Sequence, residues 1–212
     1  MLSGKGMIDI PIVMSGEQAT GEHVYDWIFD NRNNQLIGFL VDPGGWLGGA
    51  RVLAWENIKR VTPETVMVNL ISPIIRLDHI LAISQILKDD ANITGLPLYT
   101  FHSNQLGNIA DLYFDEITGT VLGYAVLESP FAPDTLNEFF VPAVEPLQLI
   151  DGTAFITDET ILGLRVRQAV RTDDGFLVAA TGQIITREVL DRAIAADKSR
   201  VLLEAVGLIG HD

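Results

Sequence analysis

The chain has 212 residues, 48% of them hydrophobic, and a formal net charge of −14. Such an acidic chain is repelled by nucleic acid and by anionic lipid, so direct nucleic-acid binding is excluded from the expectation. It holds no cysteine, which excludes disulfide frameworks, thiol catalysis and cysteine-ligated zinc.

In chain order, residues 1–7 read as a small, disordered tail. Residues 1–15 contain no apolar block of signal-peptide length. No run anywhere reaches the roughly 18 consecutive apolar residues of a membrane span, so the expected location is cytoplasmic. A strand over 8–14 is followed by a hairpin over 24–41. The hairpin's turn, Asp30, Asn31, Arg32, Asn33 and Asn34, is built from residues that bond locally and tolerate left-handed backbone. The glycine-rich stretch 43–49 has no Lys-Ser/Thr tail and no strand-to-helix setting. It is therefore a connection rather than a phosphate loop, and Trp46 within it is a candidate partner contact. A short turn over 56–60 precedes a strand over 66–70. The mixed three- and four-residue spacing of Leu77, Ile80, Leu81, Ile86 and Leu87 predicts an amphipathic helix over 76–88.

The next hairpin covers 109–126, followed by a loop with Pro130 and Pro133 in which Phe131 is the second candidate contact. Beyond residue 158, Thr172-Asp173-Asp174-Gly175 between the apolar runs 165–170 and 176–180 predicts a third hairpin. Thr186 is the expected N-cap of a helix through Ala196. Residues 201–206 fit a strand or a helix. Seven of the chain's 14 basic residues lie in this last segment, whereas 96–157 has eight carboxylates and no Lys or Arg. That asymmetry suggests two segments that dock face to face, within one chain or between two, or an acidic face for a basic partner.

The stretch 24–41 recurs at 109–126 with a constant offset of 85 (109 − 24). Asp26 falls on Asp111, Phe29 on Phe114, Asp30 on Asp115 and Gly38 on Gly123. Fixed Asp, Phe, Asp and Gly at one offset point to duplication. Both glycines mark a bend or a close backbone approach.

Both copies resemble the PRC-barrel family, the small β-barrel found in the reaction-centre H subunit and in the ribosome maturation factor RimM. The first copy carries the resemblance on Gly21, Val24, Asp26, Phe29, Asp30, Gly38 and the corner Val52-Leu53-Ala54-Trp55 with Ile58 and Val61. The second carries it on Gly107, Ile109, Asp111, Phe114, Asp115, Gly123 and Val141-Pro142-Ala143-Val144. The first lacks the usual proline before Trp55, and the second lacks the tryptophan. The resemblance implies a mainly β fold of two tandem barrels, 8–73 and 96–157, joined by a helix over 74–95. A hairpin and helix over 158–212 complete it.

Asp26, Asp30, Gly38, Asp111, Asp115 and Gly123 are expected to act as structural turn residues. In the H subunit, acidic barrel residues help carry protons toward a quinone, but turn capping is the favoured role for these four carboxylates. His23, His79, His102 and His211 are scattered, with no pair at metal-ligand spacing. No metal, no cofactor and no catalytic group is expected. The functional expectation is a non-enzymatic protein-binding or assembly module with a protein partner of basic character. Two alternatives stay open through the resemblance. One is a soluble accessory or regulatory subunit of a membrane photosynthetic or electron-transport complex, held there peripherally. The other is a RimM-like ribosome-associated factor. An enzyme ranks behind them. Barrel edges and the loop 44–49 also offer surfaces for self-association.

Overall fold

The computed structural model describes residues 1–14, 18–44, 49–69, 74–76, 92–102, 104–127 and 138–207. The described chain is mainly β, and it divides into two compact units. Met1–Asn92 with Asp111–Leu122 form one unit, and Ile93–Ala110 with Gly123–Asp212 form the other. No helix among the described residues is long and apolar enough to cross a membrane.

The first unit begins with β1 (Leu2–Ser3) and a 3-10 turn, Lys5–Met7. Then come β2 (Pro11–Met14), β3 (Gln18–His23), β4 (Asp26–Asp30), β5 (Gln35–Asp42) and β6 (Arg51–Ala54). After a 3-10 turn at Trp55–Asn57 follow β7 (Ile58–Val61), β8 (Val66–Val68) and β9 (Ile74–Arg76). Two four-stranded sheets result, in the orders β3-β2-β8-β7 and β4-β5-β6-β9. Alternation sets the core: Ile12, Val66 and Val68 are buried on one sheet, and Phe29, Leu36, Phe39 and Leu53 on the other.

Closed barrels were the expectation, and neither order closes on itself. The reason lies at two corners. Val24 N–H donates to the Ile10 carbonyl, whereas the next residue, Tyr25, donates to Leu40. The chain changes sheets across that single peptide and does so again at the 3-10 turn 55–57. One ribbon is thereby split into two open sheets.

Two further expectations change here. Residues 2–7 are not a tail: Leu2 and Ser3 pair with Phe114 and Tyr113, and Met7 is buried. The span 74–95 does not begin as a helix. Ile74–Arg76 is a strand on β6, with Val52 opposite Ile75, as two consecutive β-branched residues favour. Residues 77–91 of the predicted connecting helix lie outside the described residues, and 92–95 are a turn and not helix.

The second unit is built on β10 (Pro97–Thr100), β11 (Gln105–Phe114), β12 (Val121–Leu127), β13 (Glu138–Pro142), β14 (Gln148–Ile150) and β15 (Thr153–Ile156). Their path is β13-β12-β11-β10-β15-β14, also open; the distal ends of β11 and β12 belong to the first unit. This is the order β6-β5-β4/β3-β2-β8-β7 with β3 and β4 fused into the single strand β11. The one parallel pair recurs as well, β2 on β8 in one copy and β10 on β15 in the other. So do the corner bonds. Asp9 donates to Val24 and Gly95 to Ile109, while Val24 donates to Ile10 and Ile109 to Leu96. Asp9 (φ 64°) and Gly95 (φ 87°) share the left-handed backbone those bonds require.

A 3-10 turn, Asp158–Ile161, capped by Thr157, leads into the C-terminal segment. β16 (Val170–Arg171) and β17 (Leu177–Ala179) form the third hairpin, shorter than the apolar runs suggest. Helices α1 (Arg187–Ala195) and α2 (Ser199–Val206) follow, with Thr186 capping the first. Residues 201–206 are thus helical. Among the described residues, four cations of this basic segment find partners within the segment rather than on the carboxylates of 111–151 of the same chain. Arg165 donates to the Gly182 carbonyl and Arg171 to that of Gly175, while Arg187 pairs with Glu159 and Lys198 with Asp173. Backbone carbonyls and carboxylates of the segment itself meet these cations.

Candidate functional site

The six turn residues occupy matching places in the two hairpins. Asp26 Oδ1 accepts from Trp27 N–H at 2.8 Å, and Asp111 Oδ1 from Leu112 N–H at 2.8 Å. Four residues on, Asp30 Oδ1 accepts from Arg32 N–H at 3.1 Å, and Asp115 Oδ1 from Ile117 N–H at 2.9 Å. Asp30 and Asp115 each close their own turn, the local competition for backbone donors that suits Asp to this position. Asp26 and Asp111, expected as turn residues, instead stand in β4 and β11 and accept from the next residue along the strand. Asp30 Oδ2 also accepts from Asn33 Nδ2, and Asp115 Oδ1 from the N–H of Thr118. The N–H groups of Thr118 and then Ile117 hold the Asp115 carboxyl below its ordinary value. The turns end at Asn34 (φ 54°) and Gly119 (φ 74°), two residues that share one aligned position and one left-handed conformation.

Where the copies diverge, the surroundings decide. Asp111 is buried and additionally accepts from Ser3 Oγ and, at 2.9 Å, from Lys5 N–H. It thus anchors the amino-terminal turn. Asp26 gains only the Trp27 donor among its pKa-lowering contacts, and burial outweighs it, raising the carboxyl above its ordinary value.

Gly38 and Gly123 are both sites of close approach. Gly38 pairs with Ala54, and a Cβ there would collide with the Leu53 carbonyl. Gly123 pairs with Pro142, and its Cβ would strike the Phe140 ring and come within 2.5 Å of the Val141 carbonyl. In each copy the glycine admits the corner strand, β6 or β13, against the hairpin.

Trp55 follows the first corner. Its ring lies 5.9 Å from Phe39 and 5.9 Å from Phe114, edge-on to the latter, and covers Gly119. Beside it opens a cleft of about 400 Å³ lined by Leu2, Trp55, Ile58, Arg60 and Ile117, among others. Ile117, at the tip of the second hairpin, is 83% exposed. Trp46 and Phe131, the two contact residues expected from sequence, lie outside the described residues.

One pairing escaped the sequence reading. His102 Nδ1 sits 2.7 Å from Asp158 Oδ2, and that carboxylate is 5% exposed. The partners are 56 residues apart, and no short motif encodes a contact made by two strand ends. Among the described residues no group of three or more His, Asp or Glu side chains gathers as a metal site.

Compared with known proteins, the chain matches no family model, and no curated protein matches it.

Proposed function

We propose that the chain is a protein-binding or assembly module built on two PRC-barrel-like repeats. The observation that carries this reading is the use of its carboxylates. Asp26, Asp30, Asp111 and Asp115 accept hydrogen bonds from the backbone of their own hairpins, so their polarity goes into holding the repeat. The recurring strand order, with the corner glycines Gly38 and Gly123, supports the family resemblance. Recognition then falls to outer faces and loops, with Trp55 and Ile117 beside the cleft of the first unit as one such surface. The net charge of −14 favours a basic protein as partner, through complementarity that steers encounter and is screened by salt. The location in keeping with this reading is cytoplasmic.

Affinity capture with the tagged full chain, from extract of its own cells, tests this. A protein retained in fixed ratio at low salt and released at high salt is the expected result. Turnover of a small molecule with no retained protein would contradict it.

A further inference from the structure

The second unit carries an aromatic row on the outer side of its sheet. Leu98, Thr100, Ala154 and Ile156 are buried, so the alternate residues Tyr99 and Phe155 face the other way. Register places Gln148 opposite Phe155, Phe155 opposite Tyr99, and Tyr99 opposite Gln105. The result is a row across four strands with an amide at each end and two rings between, whose centroids are 6.1 Å apart. Phe101 adds a third ring, stacked on Phe155 at 5° and 6.4 Å, and is 44% exposed.

Three rings in a row, two of them stacked, on a part-exposed face are more than one sheet needs for its own packing, since the core lies on the opposite side. The segment of chain that carries it is acidic. No Lys or Arg occurs between residues 96 and 157. Glu145 precedes β14, and Asp151 turns β14 into β15; both are exposed. The nearby imidazole of His102 is engaged by Asp158, and Glu159 is met by Arg187.

We propose that this face docks an arginine-bearing segment of a basic partner protein. The inference rests on the protein-binding reading above and names the partner's chemistry. A guanidinium is drawn to the negative face of a ring and lies flat on it. Its N–H groups reach sideways, where the side-chain carbonyls of Gln105 and Gln148 can accept. Lysine offers a point charge without that plane, so the site discriminates between the two.

Fluorescence anisotropy on the full-length chain tests the proposal, using a labelled peptide of alternating glycine and arginine. Peptides with lysine or citrulline in place of arginine are the comparisons. Tighter binding of the arginine peptide is expected, weakened several-fold, toward about tenfold, by Phe101→Leu and by Phe155→Leu. Phe101→Leu sits at an exposed position and keeps the fold should Phe155→Leu, at a half-buried one, be less tolerated. Phe176→Leu, on the C-terminal hairpin, should leave binding unchanged. Equal binding of the arginine and lysine peptides, or binding unaffected by both ring substitutions, would overturn the proposal. Partner capture from extract that survives both ring substitutions would remove this face and leave the binding-module reading standing. Absence of any captured protein would instead remove that reading.

Discussion

Asp26 in the first copy and Asp115 in the second are shifted in opposite directions, and the sign of each effect on stability follows. Asp115 has its carboxyl held below 3.8 by backbone N–H donors. Its contribution is therefore complete above 3.8 and is lost as pH falls through the lowered value. Asp115→Asn should lower the melting temperature at neutral pH, with the gap to the parent closing in acid. Asp26 is raised above 3.8 by burial. Its ionised form costs stability at neutral pH, and that cost vanishes as pH falls through the raised value. Asp26→Asn keeps an acceptor for the Trp27 N–H, so it should melt higher than the parent at neutral pH and equal to it in acid. Thermal unfolding followed by circular dichroism across pH reads both. A third case is Asp30, buried and holding both Arg32 N–H and Asn33 Nδ2. Asp30→Asn is expected to cost about 1 kcal/mol in denaturant unfolding, because a charge-assisted hydrogen bond from one of its two part-buried donors is lost. The turn chemistry was legible at these positions because Asp and Asn act on their own neighbours. The pKa directions were not, because they depend on what covers each turn.

Elements were legible in proportion to how local their causes are. The hairpin 24–41 declares itself through period-two alternation around an Asp/Asn turn, and the helix after Thr186 through its cap and spacing. The strand at 2–3 and the 3-10 turn at 5–7 could not be read, since their bonds come from Asp111, Leu112 and the edge of β11. Barrel closure was expected from the resemblance. The corner at Val24 and Tyr25, where consecutive N–H groups point to different sheets, is invisible to any hydrophobic pattern. A single alignment offset also conceals part of the repeat. Asp9 and Gly95, like Pro11 and Pro97, match at 86 (95 − 9), one residue away from the offset of the hairpins. Glycine at the corner strands is the element-scale test. Gly38→Ala and Gly123→Ala each push a methyl into a backbone carbonyl or a packed ring. Each is expected to cost about 1–3 kcal/mol by urea unfolding, as overpacking does. Thr186→Ala should cost about 1 kcal/mol through loss of the α1 cap.

At the scale of the whole molecule, one path of strands is used twice, with one parallel pair in each use and the same left-handed corner residue. The second copy keeps the corner bonds yet runs β3 and β4 together as β11, so the break between those two strands is an option of the repeat. Each unit turns a surface outward, the cleft beside Trp55 in one and the Tyr99, Phe155 and Phe101 row in the other. The most direct test of this duplication is the pair of parallel contacts, because parallel neighbours in a small sheet arise from chain path and not from turns. Nuclear Overhauser spectra of the full chain should show backbone contacts between Val13 and Met67 and also between Tyr99 and Phe155. Contacts in one half without their counterparts in the other would contradict a scaffold used twice.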